Sequence, residues 1–458
     1  MEKFFKLKEK GTNTKTEITA GVTTFLAMAY IIAVNPNILS AAGMPAAALV
    51  TSTCLAAAIA TIIMGAYANL PFALASGMGL NAYFAYTVVL QNGVSWQVAL
   101  AAVFIEGIIF IILSLTKVRQ AVINTIPLNL KYAVTVGIGL FIAFIGFIDA
   151  GIVVPNPATF VALGNFVTPP VIIASIGIIV IVILGKNNIK GSILWGILIS
   201  AAIAWIYAAV NPISAEFYGI SYPKGIFKLA PISDIFFKMD FSYLKDSSKI
   251  LDFIVILFTF LFVDFFDTLG TLVGVSSKAG MLDKDGKVPS AGKALLADAV
   301  GTTVGSTLGV STVTTFIESS AGVAEGGRTG LASIVTGMLF LVAMFFSPIF
   351  IAIPTCATAP ALIIVGFYMM ETVVKIDFTD FTEGVPAFLT IIMMPLTYSV
   401  GDGLTIGVLS YVVLNLANNI FTKDKDKKKK LSVVMIILGV IFLTKLILTG
   451  LQASGFFA

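Results

Sequence analysis

Apolar residues run in long blocks along this chain, separated by short polar loops. The blocks fall at 18–36, 46–68, 78–91, 96–115, 131–149, 170–185, 191–210, 252–275, 292–309, 314–325, 330–347, 355–371, 384–399 and 402–421. A helix needs about 20 apolar residues to cross the hydrocarbon core. The pattern predicts an all-α polytopic membrane protein with about 14 transmembrane segments. Several blocks are shorter than a full span. A further stretch, Leu431 to Gly450, follows the run Lys423–Lys430, and the pattern leaves open whether it spans or packs along the bundle.

Basic residues give these segments a direction. Residues 1–17 hold five lysines and no apolar run long enough for a cleavable signal, so they read as a cytoplasmic tail. Loops after even-numbered segments should then be inside and basic. Lys117, Arg119 and Lys131 follow the fourth segment, Lys186 and Lys190 the sixth, and Lys278, Lys284 and Lys287 the eighth. Arg328 follows the tenth, Lys375 the twelfth and the Lys423–Lys430 run the fourteenth. The loop 211–251, placed outside, has five lysines, but also four acids, and long mixed loops weigh less in topology.

That loop divides the chain into two sets of seven. Phe25–Met44 and Phe262–Met281 share Phe, Ser40/Ser277 and an Ala-Gly-Met ending at an offset of 237. At an offset of 227, Ile126-Pro127 and Ile353-Pro354 each precede a glycine, Gly139 or Gly366, twelve residues after the proline. Seven is odd, so consecutive sets of seven spans have opposite topology. An inverted repeat is the expectation.

Composition agrees: 58% of the 458 residues are hydrophobic and 11% charged, against about 25% charged in a soluble domain. Cys54 and Cys356 stand far apart in apolar blocks, so no disulfide framework is read. With no histidine and no cysteine cluster there is no zinc or haem ligand set. The net charge of +4 is topological information, not a nucleic-acid footprint.

Two segments look broken. Leu70–Phe84 is too rich in Pro and Gly for a helix in its first half, with a break expected at Gly77–Gly79 and Asn81 in the first turn beyond. Free backbone amides at such a break are costly in a membrane unless they line a cavity or are buried in protein, and a half-helix start offers donors and a positive dipole end. The plainer alternative is a glycine-rich packing interface. In the tenth segment, Ser311–Gly322, a Thr/Val alternation reads as a short extended stretch before a helix resumes, with Glu318 at the join. The 237-residue offset sets Glu318 on Asn81, which points to a midplane site at the repeat interface.

The eighth segment carries Asp264 and Asp267, whose spacing of three puts both carboxylates on one helix face, with Thr271 beside them. An acid inside a membrane costs at least about 2.5 kcal/mol and is a functional hypothesis by default. Glu106 and Asp298 are further intramembrane acids without a surrounding motif, open to structural or functional roles. Arg328 reads as an anchor at the cytoplasmic interface.

The runs DFFDTLGTL, FIESSAGVAEGGRTG, GMGLNAYFAY and MPLTYSVGDGL resemble the AzgA-type purine permeases, a branch of the nucleobase-cation symporter-2 and nucleobase/ascorbate transporter superfamily, over about residues 15–420. The resemblance implies a seven-plus-seven inverted repeat. Segments 1–4 (18–125) and 8–11 (252–350) would form a core domain, and segments 5–7 (126–210) and 12–14 (351–421) a gate domain. Residues 211–251 would be an extracellular loop, and 422–458 a basic loop with a C-terminal apolar helix. It implies secondary uptake of hypoxanthine, guanine or adenine at the cell membrane by proton symport and alternating access. No cofactor, a cytoplasmic N-terminus and a homodimer through the gate domain complete that picture. Asp267 and Glu318 match the family's base-binding acids, Asn81 and Gly79 its third-segment site, and Asp264 a second acid of this branch. Met78, Phe316, Ile317 and Thr271 complete the expected substrate-binding set. The tenth segment lacks the Asn-x-Gly pattern of the uracil and xanthine branches.

The chemistry of a purine fits these residues. Carboxylates accept from ring N–H groups, while Asn81 and helix-end amides donate to ring nitrogen or carbonyl oxygen. Phe84, Phe265 and Phe316 are candidates to stack on the ring. Asp264, Asp267 and Glu318 are the candidate proton-coupling groups, because carboxyls withdrawn from water can exchange a proton near neutral pH. An inorganic-anion carrier on the same architecture would set three acids against its substrate. An intramembrane aspartyl enzyme needs acids from two facing helices, whereas Asp264 and Asp267 share one.

Overall fold

The computed structural model describes residues 2–115, 127–246, 249–278, 281, 288, 290–422, 428–429 and 431–453. Lys117, Arg119, Ile126, Lys284, Lys287 and most of the Lys423–Lys430 run lie outside the described residues, as does the side chain of Phe265. Each apolar block contains helix. In chain order these are α1 (Thr14–Met28), α2 (Ile31–Ser40), α3 (Ala46–Ile63), α4 (Met78–Ala82), α5 (Trp96–Leu115), α6 (Leu128–Asp149), α7 (Pro169–Lys186) and α8 (Ser192–Val210). The second half supplies α9 (Ile250–Lys278), α10 (Ala291–Thr307), α11 (Ser319–Ala324), α12 (Gly330–Ala343), α13 (Thr355–Met370), α14 (Phe381–Leu396), α15 (Val400–Phe421) and α16 (Val433–Ala453). Among the described residues, eight helical stretches are long and apolar enough to cross a membrane. The chain is a multi-pass membrane protein.

Local signals start these helices. The Asn13 side chain caps α1 through the Thr16 amide, Asp380 caps α14 and Ser399 caps α15. Pro127 and Pro354 stand at the caps of α6 and α13, where extended backbone before the helix suits a proline. The first block differs from a plain span: its helix is interrupted at Ala29–Tyr30, and Pro36 lies inside α2, where it has no N–H to give to the helix.

Two short strands cross the middle of the bundle. β1 (Leu74–Ser76) and β4 (Val313–Thr315) pair antiparallel about Ala75 and Thr314. Between them in sequence, β2 (Val153–Asn156) and β3 (Phe160–Leu163) form a surface hairpin. Lipid cannot satisfy an open strand edge, and here the edges are bonded internally. Thr61 of α3 donates to the Leu74 carbonyl (3.0 Å) and accepts from the Leu74 amide (2.9 Å). Thr302 of α10 does the same for Val313, at 2.9 and 3.2 Å.

The loops gather at two ends. At one, Lys10 reaches the Asn69 carbonyl, Lys190 pairs with Glu325 at 2.6 Å, and Lys429 pairs with Asp380 and Glu383 at 2.6 and 2.8 Å. Glu17, fully buried there, accepts from the amides of Arg328, Thr329 and Ala332 at the start of α12. Arg328 itself donates to the carbonyls of Val323 and Gly327. At the other end, Gln91 donates to Thr397, Trp205 to Ala352, and the Lys228 amide to Phe345. The stretch 211–246 folds onto the bundle there, burying Ile220, Ala230 and Ile235. α6 and α13 cross where Gly139 meets Gly366: a Cβ on Gly366 would stand 2.4 Å from the Gly139 carbonyl oxygen. The last helix, α16, lies along α15 and α9 and buries Met435, Leu438 and Phe442.

Candidate functional site

The polar centre forms where β4 ends and α11 begins. Glu318 is the N-cap residue of α11, and the Tyr30 hydroxyl, at the interruption between α1 and α2, donates to its Oε1 at 2.5 Å. Asp267, on α9, bonds the Thr314 hydroxyl of β4 and lies close enough to Glu318 for their charges to interact. Both carboxyl-bearing residues are partly exposed, and Ile317 beside them is 49% exposed. They form a partly exposed wall beside the buried Phe316 and Ser319. Tyr368, near the end of α13, also stands within electrostatic reach of Glu318.

The other break lies across the strand pair. Asn81 is fully buried in α4. Its Oδ1 accepts from Ser76 at 2.7 Å, while its Nδ2 finds no acceptor in the protein. An orphaned buried amide N–H₂ is costly and is the kind of group a ligand satisfies. The two breaks are tied together: the Gly77 amide donates to Thr312, the Phe316 amide to Ala73, and the Ser319 hydroxyl accepts from the Ala73 amide at 3.0 Å.

The other candidate residues are placed as follows. Met78 is buried at the start of α4, and Thr271 is buried on α9. Gly79 faces α6, where a Cβ would come within 2.5 Å of the Ile138 Cγ2 atom. Phe316 is buried in the main apolar cluster, and Phe84 packs fully buried against Phe260 at 6.4 Å, so neither ring presents a free face. Asp264 and Asp267 separate rather than act together. Asp264 is fully buried and turned to Glu106 and Thr268. Residues three apart on a helix differ by about 60° in direction, enough to send the two carboxyls to different neighbours. The antiparallel strand pair is centred on Ala75 and Thr314, which are 239 apart, and Ser76 pairs with Val313 at the 237-residue offset.

Tyr30, Ser76, Ser319 and the threonine pair Thr61/Thr302 were not among the sequence candidates. Tyr30 had a signal, a tyrosine within an apolar block six residues before a proline. The serines and threonines had none, because small hydroxyls are ordinary in membrane helices.

A family model described as a permease family (Xan_ur_permease) matches residues 15–406. The chain belongs to this family. A putative permease of Methanocaldococcus jannaschii is 50% identical, over 96% of this chain and 97% of that protein. The guanine/hypoxanthine permease PbuG of Bacillus subtilis is 46% identical, over 97% and 98%. The adenine permease AdeP of Escherichia coli is 40% identical, over 98% and 96%. The protein is a transporter and not an enzyme. Its fold is shared with the transmembrane domain of the cyanobacterial bicarbonate transporter BicA, at a TM-score of 0.61 and 14% identity over 86% of this chain and 97% of that one. It is also shared with the murine Solute Carrier 26 family member A9 anion transporter, at 0.59 and 12% over 88% and 68%.

Proposed function

We propose that this permease imports purine nucleobases, hypoxanthine and guanine and also adenine, by proton symport with alternating access across the cell membrane. The observation that carries the reading is the pair Asp267 and Glu318, two partly exposed acidic residues near enough for their charges to interact, where a strand meets a half-helix. A neutral purine presents adjacent N–H groups that such acceptors bind, and the unpaired Asn81 amide supplies a donor for a ring nitrogen or carbonyl. The names of PbuG and AdeP support the same substrate class. The anion carriers that share the fold do not argue for an anion here, because two acids at the site would repel it. In this reading Asp267 or Glu318 takes the coupled proton.

The architecture we propose is the seven-plus-seven inverted repeat, with segments 1–4 and 8–11 as core and segments 5–7 and 12–14 as gate. The strand pairing, the matching Thr61 and Thr302 clamps and the contact of Gly139 with Gly366 support it. The end that gathers Lys10, Lys190, Arg328 and Lys429 would face the cytoplasm. A homodimer through the gate domain belongs to the same reading.

Uptake of radiolabelled hypoxanthine in cells lacking their own purine permeases tests it. The expected result is accumulation against a gradient, collapsed by an uncoupler and abolished in the Asp267→Asn/Glu318→Gln double variant. Wild-type uptake in that variant would refute the site.

A further inference from the structure

Three acids of this membrane protein lie outside the wall that the proposed substrate site uses. Glu106 on α5, Asp264 on α9 and Asp298 on α10 are each fully buried. Gly107, next to Glu106, lets α10 come so close that a Cβ there would stand 2.4 Å from the Thr303 hydroxyl. The carboxyls of Glu106 and Asp264 are in hydrogen-bonding contact with each other. Glu106 Oε2 accepts from Thr312 at 3.0 Å. The Thr268 hydroxyl lies 3.0 Å from Asp298 Oδ2 and 3.4 Å from Asp264 Oδ1, and Thr315 donates to Asp298 at 3.3 Å. One hydroxyl carries one hydrogen, so Thr268 serves one of its two carboxyls at a time. The decisive atom is Glu106 Oε1, which is buried and has no donor in the protein.

Two carboxylates cannot hydrogen-bond to each other without a proton between them, and two like charges in contact repel strongly away from water. A single proton removes the repulsion and satisfies the orphaned oxygen at once. We propose that Glu106 and Asp264 hold one resident proton between them, and that Glu106 is a positioning residue for the transport site. It acts through β4. The hydroxyls of Thr312, Thr314 and Thr315 are held by Glu106, Asp267 and Asp298, from three different helices. The strand they fix runs straight into Glu318. The proton is resident rather than transported because both residues of the pair are fully buried, whereas Asp267 and Glu318 are partly exposed residues. The bearing on transport rests on the purine-import reading; the proton itself does not.

The charged and titratable groups around the pair are mostly acids. α10 brings Asp298, α9 itself Asp267, and α11 is capped by Glu318. The helical continuation of α4 at Tyr83–Gln91 brings Tyr83 and Tyr86. On α6, Lys131 and Asp149 stand near opposite ends of the helix. The short turn Ser242–Leu244, packed on α9, brings Tyr243. β4 and the α4 turn Met78–Ala82 bring no ionisable side chain, and α16 faces α9 with Met435, Leu438 and Phe442.

The test pairs Glu106→Gln with Asp264→Asn. In Glu106→Gln the amide N–H gives Asp264 a fixed donor in place of the proton, and the amide oxygen still accepts from Thr312. The folded wild type holds a proton that the unfolded chain releases at neutral pH, so its stability falls as pH rises. Melting of the purified protein in detergent is followed from about pH 6 to 9. Both variants should flatten the fall, by a slope equivalent to one proton. Glu106→Gln should keep hypoxanthine uptake within about threefold of wild type with an unchanged pH profile, while Glu106→Ala loses about tenfold or more. Wild-type pH dependence of melting in both variants would overturn the shared proton. Loss of proton-driven accumulation in Glu106→Gln, with exchange intact, would overturn its residence. A wild type that takes up no purine would sink the substrate reading and leave the melting comparison to decide the proton.

Discussion

Removing the Tyr30 hydroxyl tests how Glu318 is held. Tyr30 is fully buried, and its O–H is 2.5 Å from Glu318 Oε1. A hydrogen bond to an ionised group contributes about 1.5–3 kcal/mol. Tyr30→Phe keeps the ring and deletes only the oxygen, so packing is preserved and no donor is left orphaned. The lost part falls on Glu318, whose carboxyl must then be ordered by the substrate alone. Ordering a side chain of this kind costs about 0.5–1.5 kcal/mol, with the weakened anchor adding to it. The combined penalty is about 1–2 kcal/mol, equivalent to a rise of about five- to thirtyfold in the KM for hypoxanthine. Initial-rate uptake at several substrate concentrations, normalised to protein in the membrane, measures it. Maximal velocity should change less than KM. If Tyr30→Phe transports with an unchanged KM while Glu318→Gln is inactive, the hydroxyl does not position the carboxylate and the reasoning fails.

Other substitutions probe the scaffold around that site. Glu17→Ala strands three backbone amides at the start of α12, and at about 1–3 kcal/mol for each unsatisfied donor the detergent-solubilised protein should melt well below wild type; an unchanged melting point would show that water replaces the carboxylate. Gly366→Ala drives a methyl against the Gly139 carbonyl oxygen, 2.4 Å away, and should cost about 1–3 kcal/mol, read as lower yield of monodisperse protein, whereas Gly292→Ala, with nothing within 4 Å, should be neutral. The Lys429 ammonium holds the Asp380 carboxyl below its usual range, so that ion pair stabilises above about pH 4 and its contribution is lost as pH falls through the lowered value. Both groups are substantially exposed, which limits the effect to about 1 kcal/mol or less; Lys429→Met should therefore lower stability slightly at neutral pH and not at all in strong acid, measured by melting at the two pH values.

Hydrophobic blocks made the helical, multi-pass character legible, because they are read one residue at a time. The two breaks were legible too. Leu70–Gly79 and Ser311–Thr315 combine Pro, Gly, Thr and Val in ways that favour extended backbone over helix, and strands β1 and β4 stand there. Three-dimensional partners were less visible. Spacing alone grouped Asp264 with Asp267, yet a difference of about 60° around the helix was enough to face one to Glu106 and the other to Thr314. Phe84 is a candidate stacking ring by residue type alone, but it packs against Phe260. Tyr30 comes from a segment nearly three hundred residues from Glu318, a distance no local pattern spans.

The strand pair explains why the acids of this site come from so many helices. A strand inside a membrane must bond its backbone to something, and β1 and β4 bond mainly to each other and to the threonine clamps. That leaves the side chains of Thr314 and Thr315 in β4, and of Thr312 just before it, free to turn to Asp267, Asp298 and Glu106. The strand thereby converts a helix break, which would otherwise be a loose hinge, into a fixed platform for Glu318. Motion in a transport cycle is then easier to accommodate between this platform and α6, where Gly79 meets Ile138, than within the platform itself. A bulky side chain at Gly79 should accordingly impair translocation before it impairs binding. Equilibrium binding of hypoxanthine to purified Gly79→Val, set beside its uptake rate, decides the matter: equal losses in both would place Gly79 in the substrate site instead.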